Sequence, residues 1–141
     1  MKPILTKSLL LALIGALLAA CSQQAEKPQQ QSVLVTAANE TAALARMRAI
    51  AQAEAQYMAM SGGEYGSLDQ LIAQRFVNDP SSGKLTGYRF DVRIKPAHFE
   101  ITAVPEKAGV TGTRSFYVDE TNIIHGADKK GAPATASDPE V

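Results

Sequence analysis

Tryptophan is absent from this 141-residue chain, which carries only four tyrosines and four phenylalanines. A platform for stacking nucleic-acid bases needs several aromatic faces, so the composition argues against single-stranded nucleic acid as a ligand. A basic block is missing as well. The 14 Lys and Arg balance the 14 Asp and Glu, and removing the first 20 residues takes away Lys2 and Lys7 to leave 12 against 14. A mildly acidic chain lacks the counter-charge that neutralises phosphates. Cys21 is the only cysteine, which excludes an internal disulfide. His98 and His125 are the only histidines, and neither sits in an HExxH or Cys-His spacing. Gly62-Gly63 has no glycine-rich continuation or lysine after it, so it is no phosphate loop. No apolar run reaches the ~20 residues of a permanent membrane-spanning helix.

One long helix is the clearest feature present. Between Thr36 and Ser61, the residues Ala43, Leu44, Met47, Ile50, Ala51, Tyr57 and Met58 recur at three- and four-residue steps, interrupted on that side by Glu54. Arg46, Arg48, Gln52 and Gln56 take the other sides. Thr36 or Asn39 is the expected cap, with Glu40 favoured in the first turn by the helix dipole. Gly62-Gly63 is the expected end. Buried, Glu54 on the apolar stripe would need a partner or a raised pKa; the expected arrangement is a carboxylate at the stripe's edge, hydrogen-bonded to a backbone donor at the sheet or a loop. Met47, Met58 and Met60 read as helix core.

Met1 to Ala20 has the layout of a secretory signal: Lys2 and Lys7, an apolar stretch from Ser8 to Leu18, then Ala19 and Ala20. Leu18-Ala19-Ala20-Cys21 resembles a bacterial lipobox. That resemblance implies cleavage between Ala20 and Cys21, acyl chains such as palmitate on Cys21, and attachment to a membrane through lipid. Ser22 in place of aspartate favours the outer membrane over the inner. Residues 21–33, rich in glutamine and without an apolar face, are expected to be a flexible tether.

Roughly 90 residues are left for a single modest core. Ser67-Leu68-Asp69-Gln70 has the pattern of a capping box opening a short second helix, with Leu68, Leu71, Ile72 and Phe76 on its apolar side. Asn78 to Gly83 reads as a loop. The period then changes to two. Tyr88, Phe90, Val92 and Ile94 alternate with Arg89, Asp91, Arg93 and Lys95 in one strand; Phe99, Ile101 and Ala103 alternate with Glu100 and Thr102 in the next. A third strand is expected at Arg114 to Val118, a turn at Asp119 to Asn122, and a fourth strand at Ile123 to His125. Helices segregated from strands predict an α+β domain over residues 34–126, a long N-terminal helix and a short helix packed on an antiparallel sheet of about four strands. Residues 127–141 show no pattern and are expected to be a disordered tail.

Several stretches, in order, resemble the globular part of bacterial type IV pilin-like and pseudopilin-like proteins. They are Asn39 to Ala45 leading through Met47 and Ile50 to Tyr57; Glu64 to Leu68 with Leu71; Gly87 to Phe90; and Thr111 to Glu120. Members that polymerise carry a prepilin cleavage site, a glutamate soon after it and a long apolar helix, all replaced here by the lipoprotein signal and tether. The resemblance therefore implies a pilin-like head on a lipid anchor, facing the periplasm or the cell surface, accessory to a type IV pilus or type II secretion assembly. Asn122 stands where that family often has glycine, and asparagine tolerates positive φ.

No catalytic residue, cofactor or metal site is expected. His98, His125, Glu100 and Asp119 are the residues on which a periplasmic small-ligand binder or enzyme would rest if they met around one concavity. Arg46, Arg48 and Arg75, or Arg89, Arg93 and Lys95, would supply a basic face for a structural lipoprotein of the cell wall.

Overall fold

The computed structural model describes residues 28–79 and 87–141. The expected signal peptide, Cys21, the first part of the expected tether and most of the loop expected from Asn78 to Gly83 lie outside the described residues.

Helix α1 runs Pro28–Ser61. It starts eight positions before Thr36, so residues 28–33 are helical and not part of a flexible tether. Proline has a pre-set φ and needs no amide partner at the first helical position, and glutamine is a good helix former. Extending a helix already held by tertiary packing requires no new nucleus, so this stretch needs no apolar face of its own. The cap expected of Thr36 or Asn39 is not made, because both residues lie inside the helix. At the other end Gly62 and Gly63 take φ of 83° and 104°, and the Gly63 amide donates to the Met58 carbonyl, a Schellman closure. Helix α2 (Leu68–Ala73) opens with the expected box. The Gln70 amide donates to Ser67 Oγ, and the Ser67 amide donates to Gln70 Oε1.

Four strands follow, β1 (Tyr88–Lys95), β2 (His98–Pro105), β3 (Ser115–Asp119) and β4 (His125–Ala127), paired in that order and antiparallel throughout. The fold is thus α+β, with a long helix, a short helix and a four-stranded antiparallel sheet. Strand β4 begins two residues later than the alternation suggests. The turn before it holds Asn122 at φ 59°, a left-handed conformation asparagine accepts.

One core joins helix to sheet. Ala43, Met47, Ile50 and Ala51 of α1 and Leu71 of α2 pack with Tyr88, Phe99, Ile101, Ala103, Phe116, Val118 and Ile124. Of the methionines, Met47 is buried, Met58 half-buried and Met60 exposed. Ring contacts extend the core at its edge, Tyr65 against Phe99 and Tyr57 against Phe76.

Residues 127–141 form an ordered segment, contrary to the expected disorder. The Gly126 amide donates to Pro139 and the Val141 amide to Ile124, so the chain's last residues cover the free edge of β4. Asp138 ties the intervening loop, accepting from the Thr135 amide at 2.8 Å and Lys129 Nζ at 3.0 Å, and Ala134 is buried. Such order comes from Asp and Thr bonding to nearby backbone, which leaves no hydrophobic period to read. Ser115 and Tyr117 are buried on the sheet face turned away from α1.

Candidate functional site

The buried stripe of α1 contains two carboxylates. Glu40 and Glu54 share the face of Ala43, Met47, Ile50 and Ala51, about four turns apart. A carboxylate on such a face must be neutral or fully partnered.

Glu40 is fully partnered. Its Oε1 accepts from the consecutive amides of Thr113 and Arg114 at 2.9 and 3.1 Å, and its Oε2 from Arg114 Nε at 3.0 Å, with Nη2 also at 3.0 Å. Burial by itself would raise this carboxyl; the two amides and the guanidinium outweigh it and hold the pKa below the usual carboxylate range. The Arg114 guanidinium lies 5.3 Å from the centroid of the Phe116 ring, and Phe116 stacks on Tyr88. Tyr88 donates its hydroxyl to the Arg114 carbonyl at 2.7 Å, its pKa pushed up by burial first and then by the Glu40 charge.

The loop before β3 is thereby fastened along the helix. Asn39 Nδ2 donates to the Thr111 carbonyl at 2.8 Å, and Thr36 Oγ1 lies 3.3 Å from that of Val110. Gly112 is required by the close approach, because a Cβ there would lie 2.1 Å from the Tyr88 hydroxyl. Gly87, at φ 58°, passes against Thr111 in the same way. Beside this seam opens a groove of about 380 Å³, walled by Val33, Thr36, Ala37 and Gly109, with Glu40 and Arg114 at its side. Both Glu40 oxygens are occupied, so the seam positions a loop and an arginine; it does not present a free base.

Glu54 is fully buried but only partly partnered. Its Oε2 accepts from the Gly66 amide at 2.9 Å, while Oε1 has no hydrogen-bond partner. The donor is a loop amide, one of the two placements expected, but the carboxylate lies within the buried stripe and not at its edge, and burial raises its pKa against the pull of that amide.

The histidines share a sheet face but not a site. Strand pairing of Lys95 with His98, Glu100 with Asp119 and Tyr117 with His125 puts all six on the face away from α1. Strand spacing separates His98 from His125 by roughly 16 Å. His98 Nε2 is 3.8 Å from Glu100 Oε1, which Lys95 Nζ approaches to 2.6 Å. His125 Nδ1 lies 2.7 Å from the Asp138 carbonyl, which makes that nitrogen the donor. Asp119 accepts from the Thr121 amide and hydroxyl and from the Tyr117 hydroxyl; these outweigh burial and lower its pKa. Tyr117 is pushed up to about 12 by burial and then by the Asp119 charge. Among the described residues no group of three or more His, Cys, Asp or Glu could hold a metal ion.

Arg89, Arg93 and Lys95 share one face of β1, but acidic or carbonyl partners take up part of the basic charge. Arg93 pairs with Asp91 at 2.8 Å, Lys95 with Glu100, and Arg46 Nη1 donates to the Asp79 carbonyl. Cys21, Ala20 and the cleavage expected between them fall outside the described residues. Sequence reasoning missed the Glu40 and Arg114 pair; the available signal was an acidic residue three positions before Ala43, on the stripe itself. No described helix is long and apolar enough to cross a membrane. Comparison with protein-family models, with curated proteins and with solved structures finds no match.

Proposed function

We propose that this chain is a lipid-anchored protein of the bacterial envelope, held by Cys21, whose α+β domain is a pilin-like module that binds other proteins. In this reading it is accessory to a type IV pilus or type II secretion assembly, carries out no catalysis, and is not a polymerising subunit. Its place is the periplasmic side of a membrane, the outer one favoured, or the cell surface. The observation that supports it most is the seam. Three stretches that carry the resemblance and are far apart in sequence, Asn39-Glu40, Gly87-Tyr88 and Thr111 to Arg114, meet there through specific contacts. Their convergence supports the reading, since stretches that share a pattern are expected to meet where that pattern encodes tertiary contacts.

Membrane fractionation of wild type and Cys21→Ser, followed by crosslinking of the wild-type membrane fraction, tests both halves. Release of the variant into the soluble fraction and crosslinks to pilus or secretion components are the expected results. An anchored protein with no such crosslinks would reduce the domain to a reused scaffold. A wild type found in the soluble fraction would remove the anchor.

A further inference from the structure

Eight large hydrophobic side chains are exposed among the described residues, and four of them, Val33, Leu34, Val35 and Val110, belong to one end of the domain. Val33 and Leu34 are 66% and 67% exposed and Val110 62%. Val110 is tied to this end because its carbonyl lies beside Thr36, and Gly109 lines the same groove as Val33. A grouping of this kind marks a contact surface.

Its geometry distinguishes the kinds of partner. Successive helical residues are about 100° apart, so Val33, Leu34 and Val35 spread over roughly 200° of the circumference. A partner helix or peptide groove asks for apolar residues at i, i+3, i+4 and i+7 on one side. The positions that would extend such a stripe backwards are Gln29, Gln30, Gln31 and Ser32. An apolar collar suits a medium that surrounds it.

Chain length supplies the second constraint. Pro28, the first residue of α1, follows Cys21 by seven positions, and seven extended residues reach at most ~25 Å. The opposite end of α1, at Met60, lies ~40 Å beyond Val33. An acylated Cys21 therefore keeps the first residue of α1 within ~25 Å of the bilayer, a limit that the Met60 end does not share.

We propose that Val33, Leu34, Val35 and Val110 enter the interfacial layer of a phospholipid bilayer, so that the domain docks through its own side chains as well as through acyl chains. This rests on lipidation of Cys21 as proposed above. The collar alone binds weakly; the tether raises its effective concentration at the surface and makes the contact persistent. Neighbouring charges are balanced, with Glu40 paired to Arg114 and both Glu106 and Lys107 exposed, so docking does not depend on anionic lipid.

The natural absence of tryptophan makes the test background-free. The mature chain from Cys21 is coupled through that thiol to a maleimide-headgroup lipid in phosphatidylcholine vesicles containing brominated phosphatidylcholine, a quencher of tryptophan fluorescence. Leu34→Trp and Val110→Trp are expected to be quenched about threefold more than Met60→Trp, with emission shifted to the blue on coupling. Partial replacement by phosphatidylglycerol should leave that ratio unchanged. Equal quenching at the three positions, or none at 34 and 110, would overturn the proposal. A blue shift at position 34 that grows with protein concentration without vesicles would assign the collar to a protein interface and overturn it equally. Chemical coupling bypasses cellular lipidation, so failure here leaves the anchor standing, whereas a soluble wild type in the fractionation would remove the anchor itself.

Discussion

Glu40 and Glu54 are two glutamates on one face of one helix, both removed from solvent, and their surroundings push them in opposite directions. Glu40 meets two amides and a guanidinium brought in from the β2–β3 loop, and stays charged. Glu54 meets a single amide, that of Gly66, and its pKa rises. Burial is common to both; the number of donors decides the outcome. One carboxylate fastens the fold through its charge, and the other is tolerated best when it has none.

The contrast breaks most visibly on truncation. Glu40→Ala should destabilise the domain by about 3 kcal/mol in denaturant unfolding, because it strands two amides and an arginine together. A loss under about 1 kcal/mol would show that water replaces the carboxylate at the seam.

pH sharpens the comparison next. The pKa of Glu40 is lowered in the fold, so its contribution is present above the unfolded value near 4.5 and is lost as pH falls through the folded value. That of Glu54 is raised, so its contribution is complete below the unfolded value and is lost as pH rises through the folded one. Glu54→Gln should therefore raise the thermal midpoint at neutral pH and approach the wild type in acid, whereas Glu40→Gln should lower it at neutral pH and converge in acid. Unfolding scans of the two variants across that range would show slopes of opposite sign; parallel slopes would deny the distinction.

The smallest effect lies beside Gly66. Ser67 caps α2 immediately after the residue that supplies Glu54 with its only donor, so Ser67→Ala should cost about 1 kcal/mol. Paired with Glu54→Gln, the two effects should fail to add, because loosening the cap also loosens the Gly66 amide. Strict additivity in that cycle would show that the amide is positioned independently of the cap.

Sequence periodicity carried much of the architecture. The stripe of α1, the Gly62-Gly63 stop, the Ser67 box and the alternation of β1 and β2 all express local rules of period and capping, and these operate over a few residues. What escaped was of two kinds. The early start of α1 at Pro28 and the order of residues 127–141 come from propensity and short polar motifs that leave no hydrophobic signal. The bond between Glu40 and Arg114 joins residues whose spacing in sequence is arbitrary. Glu40 was legible as a first-turn acid only because the helix was expected to begin at Thr36, and moving the start to Pro28 places it in the fourth turn with a different task. Glu54 was the more readable of the pair, since a charge interrupting an apolar stripe announces its own problem.

The two carboxylates also differ in how much chain each one must close. Gly66 lies twelve positions from Glu54, so that contact can form as soon as α1 turns into α2. Glu40 closes onto residues 73 and 74 positions away, with β1 and β2 lying between them in the chain. Closing the longer loop costs about 1.6 kcal/mol more chain entropy by the logarithmic law. Chain entropy alone therefore favours closing the Gly62 end of the helix before the opposite end during refolding. Interactions formed after the transition state act on the unfolding rate. If that order holds, Glu40→Gln should act mainly by speeding unfolding and leave the folding rate nearly unchanged, and equal effects on both rates would reverse it.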